Sequence, residues 1–272
     1  MGKFIRKTLT ALLVLIGLFS AAIFLKQQRD ISSGTDTYDD ALALAFSGTH
    51  AAAQPAPETA PPSGELQWVA APPDAEDPHV QTLEALDLEA LREVNPDVIG
   101  WILIPDTVVN YPLLQGTDND YYLKHTWDGK QYAVGSIFME YLSDPDFTDF
   151  NTIIYGHNMI NGSMFASLRE YRNQAYWEKH PYVYVRSDQG VYRYEIFSSY
   201  LAQVDSNTYG LRFSSEYSRT AFLNNTLVDS VIDTGLEPEP TDRVLTLSTC
   251  SGAGHTTRWV VHARLKMVPV QS

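Results

Sequence analysis

The pattern of apolar and polar positions divides this chain into stretches of different character. Leu9 to Leu25 is almost wholly apolar, with Lys3, Arg6 and Lys7 before it and Lys26 and Arg29 after it. Its length sits at the short end of what crosses a bilayer, ~17–25 residues. Flanking lysines can snorkel to lengthen the reach. A cleaved signal peptide is the rival reading, because Ser20-Ala21-Ala22 resembles a cleavage site. Ile23, Phe24 and Leu25 carry the run past that site and beyond the usual h-region of roughly 7–15 residues, so an uncleaved anchor is expected. The extra basic residue and the terminal amine on the upstream side favour a cytoplasmic N-terminus and an extracellular body.

From Gln27 to His79 the periodicity fades. Pro55, Pro57, Pro61, Pro62, Pro72, Pro73 and Pro78 lie among Ala, Glu and Ser. Such a segment buries too little apolar surface to offset its ordering entropy, and proline keeps it extended. A transient helix over Tyr38–Phe46 is the one exception expected there. Order is expected to begin near Thr82, where Leu83, Leu86, Ala90 and Val94 share one helical face. Asn95-Pro96 should end that helix, since the residue before proline avoids the α region. The expected division is an anchor over 1–29, a Pro/Ala-rich tether over 30–81 and a folded domain over 82–269.

Within that domain the period shortens. Val98–Ile104, Val108–Leu113, Ala133–Phe138, Thr152–Tyr155, Tyr182–Val185, Val191–Phe197, Val244–Leu247 and Trp259–Met267 are rich in β-branched and aromatic residues and are separated by turn signals such as Asp128-Gly129 and Asn161-Gly162. Helices are expected at Met164–Tyr171 and Glu216–Val231, the latter with Tyr217, Ala221, Leu227, Val228 and Val231 on one face. Many short strands with few helices predict a mainly β fold, a closed or nearly closed barrel. In the last strand, Trp259, Val261, Ala263, Leu265 and Met267 should face the core. Arg258, Val260, His262 and Arg264 should face away from it.

Composition narrows the function. The chain is 44% hydrophobic and carries a net charge of −14; the charge of its first thirty residues is mostly basic and that of the remainder is acidic. An acidic body argues against nucleic acid, which needs clustered Lys and Arg. A single cysteine excludes an intramolecular disulfide, and a free thiol in an exported domain suggests chemistry.

That thiol, Cys250, ends Thr246-Leu247-Ser248-Thr249-Cys250 and precedes Ser251-Gly252-Ala253-Gly254. Free cysteine is most often a small buried hydrophobe. Here polar neighbours and a following Gly-rich loop place it where a strand emerges, and a nearby cation would raise its reactive thiolate fraction. His157 closes Thr152-Ile153-Ile154-Tyr155-Gly156-His157, and an imidazole suits proton exchange with both thiol and amine. His255 competes by proximity to Cys250 but lies in a Gly-flanked loop. Arg258 has a solvated-edge reading and an electrostatic one, in which its guanidinium donates to a developing oxyanion. Asp144, Asp146 and Asp149 fit no calcium loop, and neither metal nor cofactor is expected.

Thr246-Leu247-Ser248-Thr249-Cys250 with Arg258-Trp259-Val260-Val261 and Tyr155-Gly156-His157-Asn158 resembles the sortase family. Asn95-Pro96-Asp97-Val98-Ile99-Gly100-Trp101, Ile104-Pro105-Asp106-Thr107, Tyr111-Pro112-Leu113-Leu114-Gln115-Gly116, Asp118-Asn119-Asp120-Tyr121-Tyr122-Leu123 and Gly135-Ser136-Ile137-Phe138 narrow the resemblance to class B. It covers about Leu83 to Val268. The resemblance implies an eight-stranded closed barrel with an N-terminal helical extension and a helix in the long connection before the cysteine strand. It implies a membrane-anchored cysteine transpeptidase with His157, Cys250 and Arg258 as its catalytic residues. Asn119, Leu123, Tyr155, Tyr209 and Ser248 match positions that line the substrate groove, although the residues around Tyr209 match poorly. The implied partners are secreted proteins with a C-terminal sorting motif and an amine from a peptidoglycan cross-bridge or its lipid-linked precursor. A pilin-polymerising class B enzyme, a non-catalytic surface-binding barrel and a plain cysteine peptidase are the alternatives.

Overall fold

The computed structural model describes residues 2–48, 68–250 and 256–269. The chain begins with one long helix, α1 (Gly2–Ala45). Its apolar first part is exposed on every side, and by length and composition it is apolar enough to cross a membrane. Its second part differs. Ile31, Tyr38, Ala41 and Ala45 recur at helical spacing and are buried, and Tyr38 meets Tyr111 edge-on at 5.1 Å. The sequence predicts a tether with a transient helix here. Instead residues 30–45 are helical and packed, because Tyr38 and two small alanines let the helix settle closely on its neighbours. Residues 49–67 of the Pro/Ala-rich tether lie outside the described residues.

Order resumes well before Thr82. β1 (Trp68–Ala70) pairs antiparallel with β10 (Met267–Pro269), near the end of the described chain. The single helix expected through Val94 is two short ones, α2 (Pro78–Glu84) and α3 (Leu88–Val94). The break occurs because Asp87 caps α3, its carboxylate accepting from Ala90 N–H at 3.0 Å. Leu83, Leu86 and Ala90 are buried as expected, whereas Val94 is 49% exposed.

Eight strands close into a barrel: β2 (Val98–Leu103), β3 (Asn110–Leu114), β4 (Ile137–Met139), β5 (Asn151–Tyr155), β6 (Tyr182–Ser187), β7 (Gly190–Gln203), β8 (Arg243–Cys250) and β9 (Thr257–Leu265). Their order is β2-β3-β4-β5-β8-β9-β7-β6, and β6 pairs back onto β2. β3–β4 and β5–β8 are parallel and the other pairs antiparallel. The core holds Trp101, Ile102, Leu113, Leu245, Leu247, Val261 and Ala263. β4 is shorter than expected because Ala133–Ser136 is a turn with Gly135 at φ 59°. Met164–Tyr171 gives way to a 3₁₀ helix at Ala166–Arg172, followed by the short α4 (Gln174–Trp177).

The long β7–β8 connection carries α5 (Glu216–Asp229), opened by a capping box of Ser215 and Ser218. Its buried face is Phe222, Leu223 and Thr226, not the expected one, and Tyr217 and Val228 are 84% and 83% exposed. The aromatic ring decides the rotation. Phe222 packs edge-on against Phe150 and Phe213 at 5.8 and 5.2 Å, which the smaller Val228 could not match. This connection lies over the outside of the barrel. Val260 and His262, expected on a face away from the core, are therefore fully buried beneath it.

Candidate active site

Three adjacent strands bring the expected chemical residues to one rim. β5 runs parallel to β8 with Tyr155 opposite Ser248. Gly156 N–H continues the pairing by donating to Ser248 O at 3.2 Å. His157 and Cys250 each follow two residues past that matched pair, so their backbones end level. On the other side of β8, Cys250 and Arg258 are direct partners across the antiparallel β8–β9 ladder. The order around the rim is His157, Cys250, Arg258.

A cavity of about 270 Å³ opens there, lined by Asn119, Leu123, Phe138, Tyr155, Gly156, His157, Ser248, Thr249 and Arg258. His157, Arg258, Asn119, Leu123, Tyr155 and Ser248 thus share one cavity. Tyr209, in the short 3₁₀ turn Asn207–Tyr209, reaches the same wall through its hydroxyl, 3.0 Å from Ser248 Oγ. Residues 251–255, with the Gly-rich loop and His255, lie outside the described residues.

The His157 ring has a defined seat. Its Nε2 lies 2.7 Å from Leu123 O. A carbonyl only accepts, so Nε2 carries a proton, and Nδ1 is the nitrogen left to exchange one. Gly135 backs this seat at positive φ. A Cβ there would sit 2.7 Å from Tyr122 O, 2.9 Å from Leu123 O and 3.0 Å from His157 Cδ2. Tyr38 of α1 donates to Gly135 O from behind.

Glu140 was not legible in the sequence. It is buried behind the cavity and accepts from Asn119 Nδ2 at 2.6 Å, from Tyr155 OH at 3.0 Å and from Leu142 N–H at 3.4 Å. Asn119 Oδ1 in turn accepts from Tyr141 N–H at 3.1 Å, which fixes both ends of the amide. Burial and the Glu140 carboxylate together hold the Tyr155 phenol well above its usual range. An acid directly after a strand resembles any surface acid, so only the fold reveals it.

Asp144 and Asp149 are occupied by their own turn. Asp149 accepts from Asp144 N–H and Asp144 from Asp146 N–H. Among the described residues no group of His, Cys, Asp and Glu is arranged to hold a metal ion.

A sequence model of the sortase domain matches residues 102–266. The chain is 39% identical over 164 residues to sortase B of Listeria monocytogenes, covering 60% of this chain and 67% of that one. It is 34% identical over 174 residues to sortase B of Staphylococcus aureus, covering 64% and 71%. The chain belongs to the class B sortases. Its barrel is theirs as well. The Staphylococcus aureus sortase B–substrate complex superposes with a TM-score of 0.63 at 33% identity over 68% of this chain and 85% of that one. A sortase B-like protein from Bacillus anthracis gives 0.61 at 37% identity over 68% and 83%. As a sortase, the protein is a transpeptidase, and the expected eight-stranded barrel with an N-terminal helix is its architecture.

Proposed function

We propose that this sortase cuts a C-terminal sorting motif after threonine through a thioester on Cys250 and passes the acyl group to a cell-wall amine. The observation that carries this reading is the alignment of His157, Cys250 and Arg258 at the ends of three adjacent strands beside one cavity. Cys250 sulfur attacks the threonine carbonyl carbon as a thiolate, its proton held on His157 Nδ1. Arg258 donates to the oxygen as it gains charge. The C–N bond breaks as His157 Nδ1 delivers a proton to the leaving amine, and a thioester remains. An incoming amine then attacks the thioester carbon and yields its proton to His157 Nδ1. The C–S bond breaks and the thiolate is restored. No cofactor enters this sequence.

The exposed apolar start of α1, with basic residues at both ends, supports an N-terminal membrane anchor with a cytoplasmic N-terminus and an extracellular barrel. The substrate is then a secreted protein presenting its sorting motif, and the amine comes from a peptidoglycan cross-bridge or its lipid-linked precursor.

Mass spectrometry tests the reading directly. The chain is challenged with a panel of motif peptides, with and without amine donors. A thioacyl enzyme and an amine-dependent product are expected, and Cys250→Ala should lose both. Cleavage that persists in Cys250→Ala, or no acyl-enzyme with any peptide, would remove it.

A further inference from the structure

His262 plays no part in the chemistry above, yet it is fully buried on the outer face of β9 with both ring nitrogens engaged. Nδ1 lies 3.0 Å from Thr246 Oγ1 and Nε2 lies 3.1 Å from Tyr200 OH. Three further bonds extend the chain. Thr246 Oγ1 donates to Asn151 Oδ1 at 2.6 Å. Asn151 Nδ2 donates to Gly210 O at 2.9 Å. Tyr200 OH lies 2.9 Å from Thr208 Oγ1.

Donor counting gives every proton a place. Gly210 O only accepts, so Asn151 turns its amino group toward Gly210 and its oxygen toward Thr246. Thr246 spends its single hydrogen on Asn151 and therefore accepts from His262 Nδ1–H. A neutral imidazole then has Nε2 as an acceptor, and Tyr200 O–H must donate to it. The Tyr200 oxygen accepts from Thr208 O–H. The bonds run one way, from Thr208 through Tyr200, His262, Thr246 and Asn151 to Gly210. Burial alone pushes the His262 pKa down to about 3, so the ring is neutral as the count requires.

The ends of this chain are adjacent in sequence. Thr208 and Gly210 flank Tyr209, whose hydroxyl meets Ser248 at the cavity wall. The network therefore grips the turn on both sides of Tyr209, the residue of the β7–β8 connection that meets Ser248 at the cavity wall. Asn151, Thr246 and His262 are all fully buried. A buried polar chain with every member satisfied is rigid, and a break at one link leaves groups without partners.

We infer that His262 is a positioning residue for the sortase reaction: its hydrogen-bond chain from Thr208 to Gly210 holds Tyr209 in place to receive the sorting peptide. This rests on the transpeptidase reading proposed above. Tyr209 meets the bound chain without touching the reacting atoms, so losing its placement weakens substrate and transition state alike.

The test uses the full chain in detergent micelles. His262→Phe keeps a ring in the site and deletes both bonds. It should raise KM for the sorting peptide about tenfold with kcat within about twofold, as loss of uniform binding does. In a Tyr209→Ala background the same change should cost less than about twofold, because the positioned group is gone. Asn151→Ser, which cuts the Gly210 end, should behave likewise and serves if His262→Phe fails to fold. Nitrogen-15 spectra of labelled histidine should show His262 as the Nδ1–H tautomer. Additive effects in the cycle, a loss confined to kcat, or the Nε2–H tautomer would each overturn the inference while leaving an active enzyme. A wild-type chain that forms no acyl-enzyme overturns the transpeptidase reading first and this inference with it.

Discussion

Cys250 and Arg258 face each other across the β8–β9 ladder, the last residue of one strand opposite the second residue of the next. Backbone pairing, not loop geometry, sets their separation. In the proposed mechanism this pairing keeps the arginine beside the carbonyl that the thiol attacks. Arg258→Lys keeps the charge and loses the planar fork. Acyl-enzyme formation should slow by about 10²-fold or more, the usual effect of removing one oxyanion donor. Labelling of Cys250 by a small thiol reagent should continue. A near-normal acylation rate for Arg258→Lys would leave Arg258 no part in stabilising the oxyanion.

Gly135→Ala probes the His157 seat. The new methyl collides with two carbonyls and the imidazole, at a backbone conformation side chains rarely adopt. Strain of this kind costs roughly 1–3 kcal/mol. The loop must shift, and Leu123 O shifts with it. We expect a lower Tm and a loss in kcat of at least about tenfold, since small displacements of a proton-transfer group are costly. Unchanged kcat with a lower Tm would show that the ring keeps its place by other contacts.

The family motifs and the strand pattern put His157, Cys250 and Arg258 at strand ends, and the barrel brings those ends to one rim. Each residue ends or begins a run of β-branched residues, and such ends gather at barrel rims. What stayed hidden depends on partners far away in sequence. Glu140 matters because Asn119 and Tyr155 converge on it from separate segments. His262 looked like an outward strand position, because alternation cannot reveal that a later helix covers that face. The second half of α1 looked like linker, because its few apolar residues gain meaning only against the barrel they cover. The face of α5 differs from its pattern for a related reason: periodicity favours Tyr217 and Val228 over Phe222, and packing favours Phe222.

Glu140→Gln tests the carboxylate behind the groove. Three donors converge on Glu140, and an amide can offer them only one oxygen. Asn119 and Tyr155 share Oε2 while Leu142 N–H uses Oε1. Glutamine must therefore turn an amino group toward at least one donor. The expected loss is about 1–3 kcal/mol of stability, the cost of an unsatisfied buried group. KM for the peptide should rise because Asn119 or Tyr155 is released. Thermal melts and peptide kinetics measured together check both, and a rise in neither would show that the groove holds its shape without the charge.

His262 also links stability to pH. Its folded pKa, about 3, lies below the ordinary 6.5 of an unfolded chain. The depressed value means the fold favours the neutral ring. Above about pH 6.5 both states are neutral and the full stability is present. As pH falls from 6.5 toward 3, only the unfolded chain gains the proton, and stability declines at up to about 1.4 kcal/mol per pH unit. Denaturant melts between pH 6.5 and 5 should show this decline in the wild type and a flatter profile in His262→Phe. Parallel profiles would mean that the ring charges inside the fold.

The packed half of α1 determines where a soluble enzyme can begin. A chain starting at Asp30 sheds the exposed apolar run but keeps Tyr38, Ala41 and Ala45 on the barrel, along with Asp30, whose carboxylate accepts from Ala133 N–H at 3.0 Å. A chain starting at Thr82 loses all of these. It also loses the β1–β10 pair, the buried Val80 and Asp77, whose carboxylate caps α2 and accepts from Tyr184 OH at 2.6 Å. Each large buried side chain contributes ~1.5–3 kcal/mol, so the shorter chain should be weaker by about 5 kcal/mol or more. For a domain of this size that lowers Tm by roughly 10 °C or more. Because Tyr38 also supports Gly135 behind His157, the shorter chain should lose kcat even at temperatures where it remains folded. Calorimetry and peptide kinetics on the two chains check both parts. Equal Tm and equal kcat would show that the helix serves only as an anchor, with no part in the fold or the site.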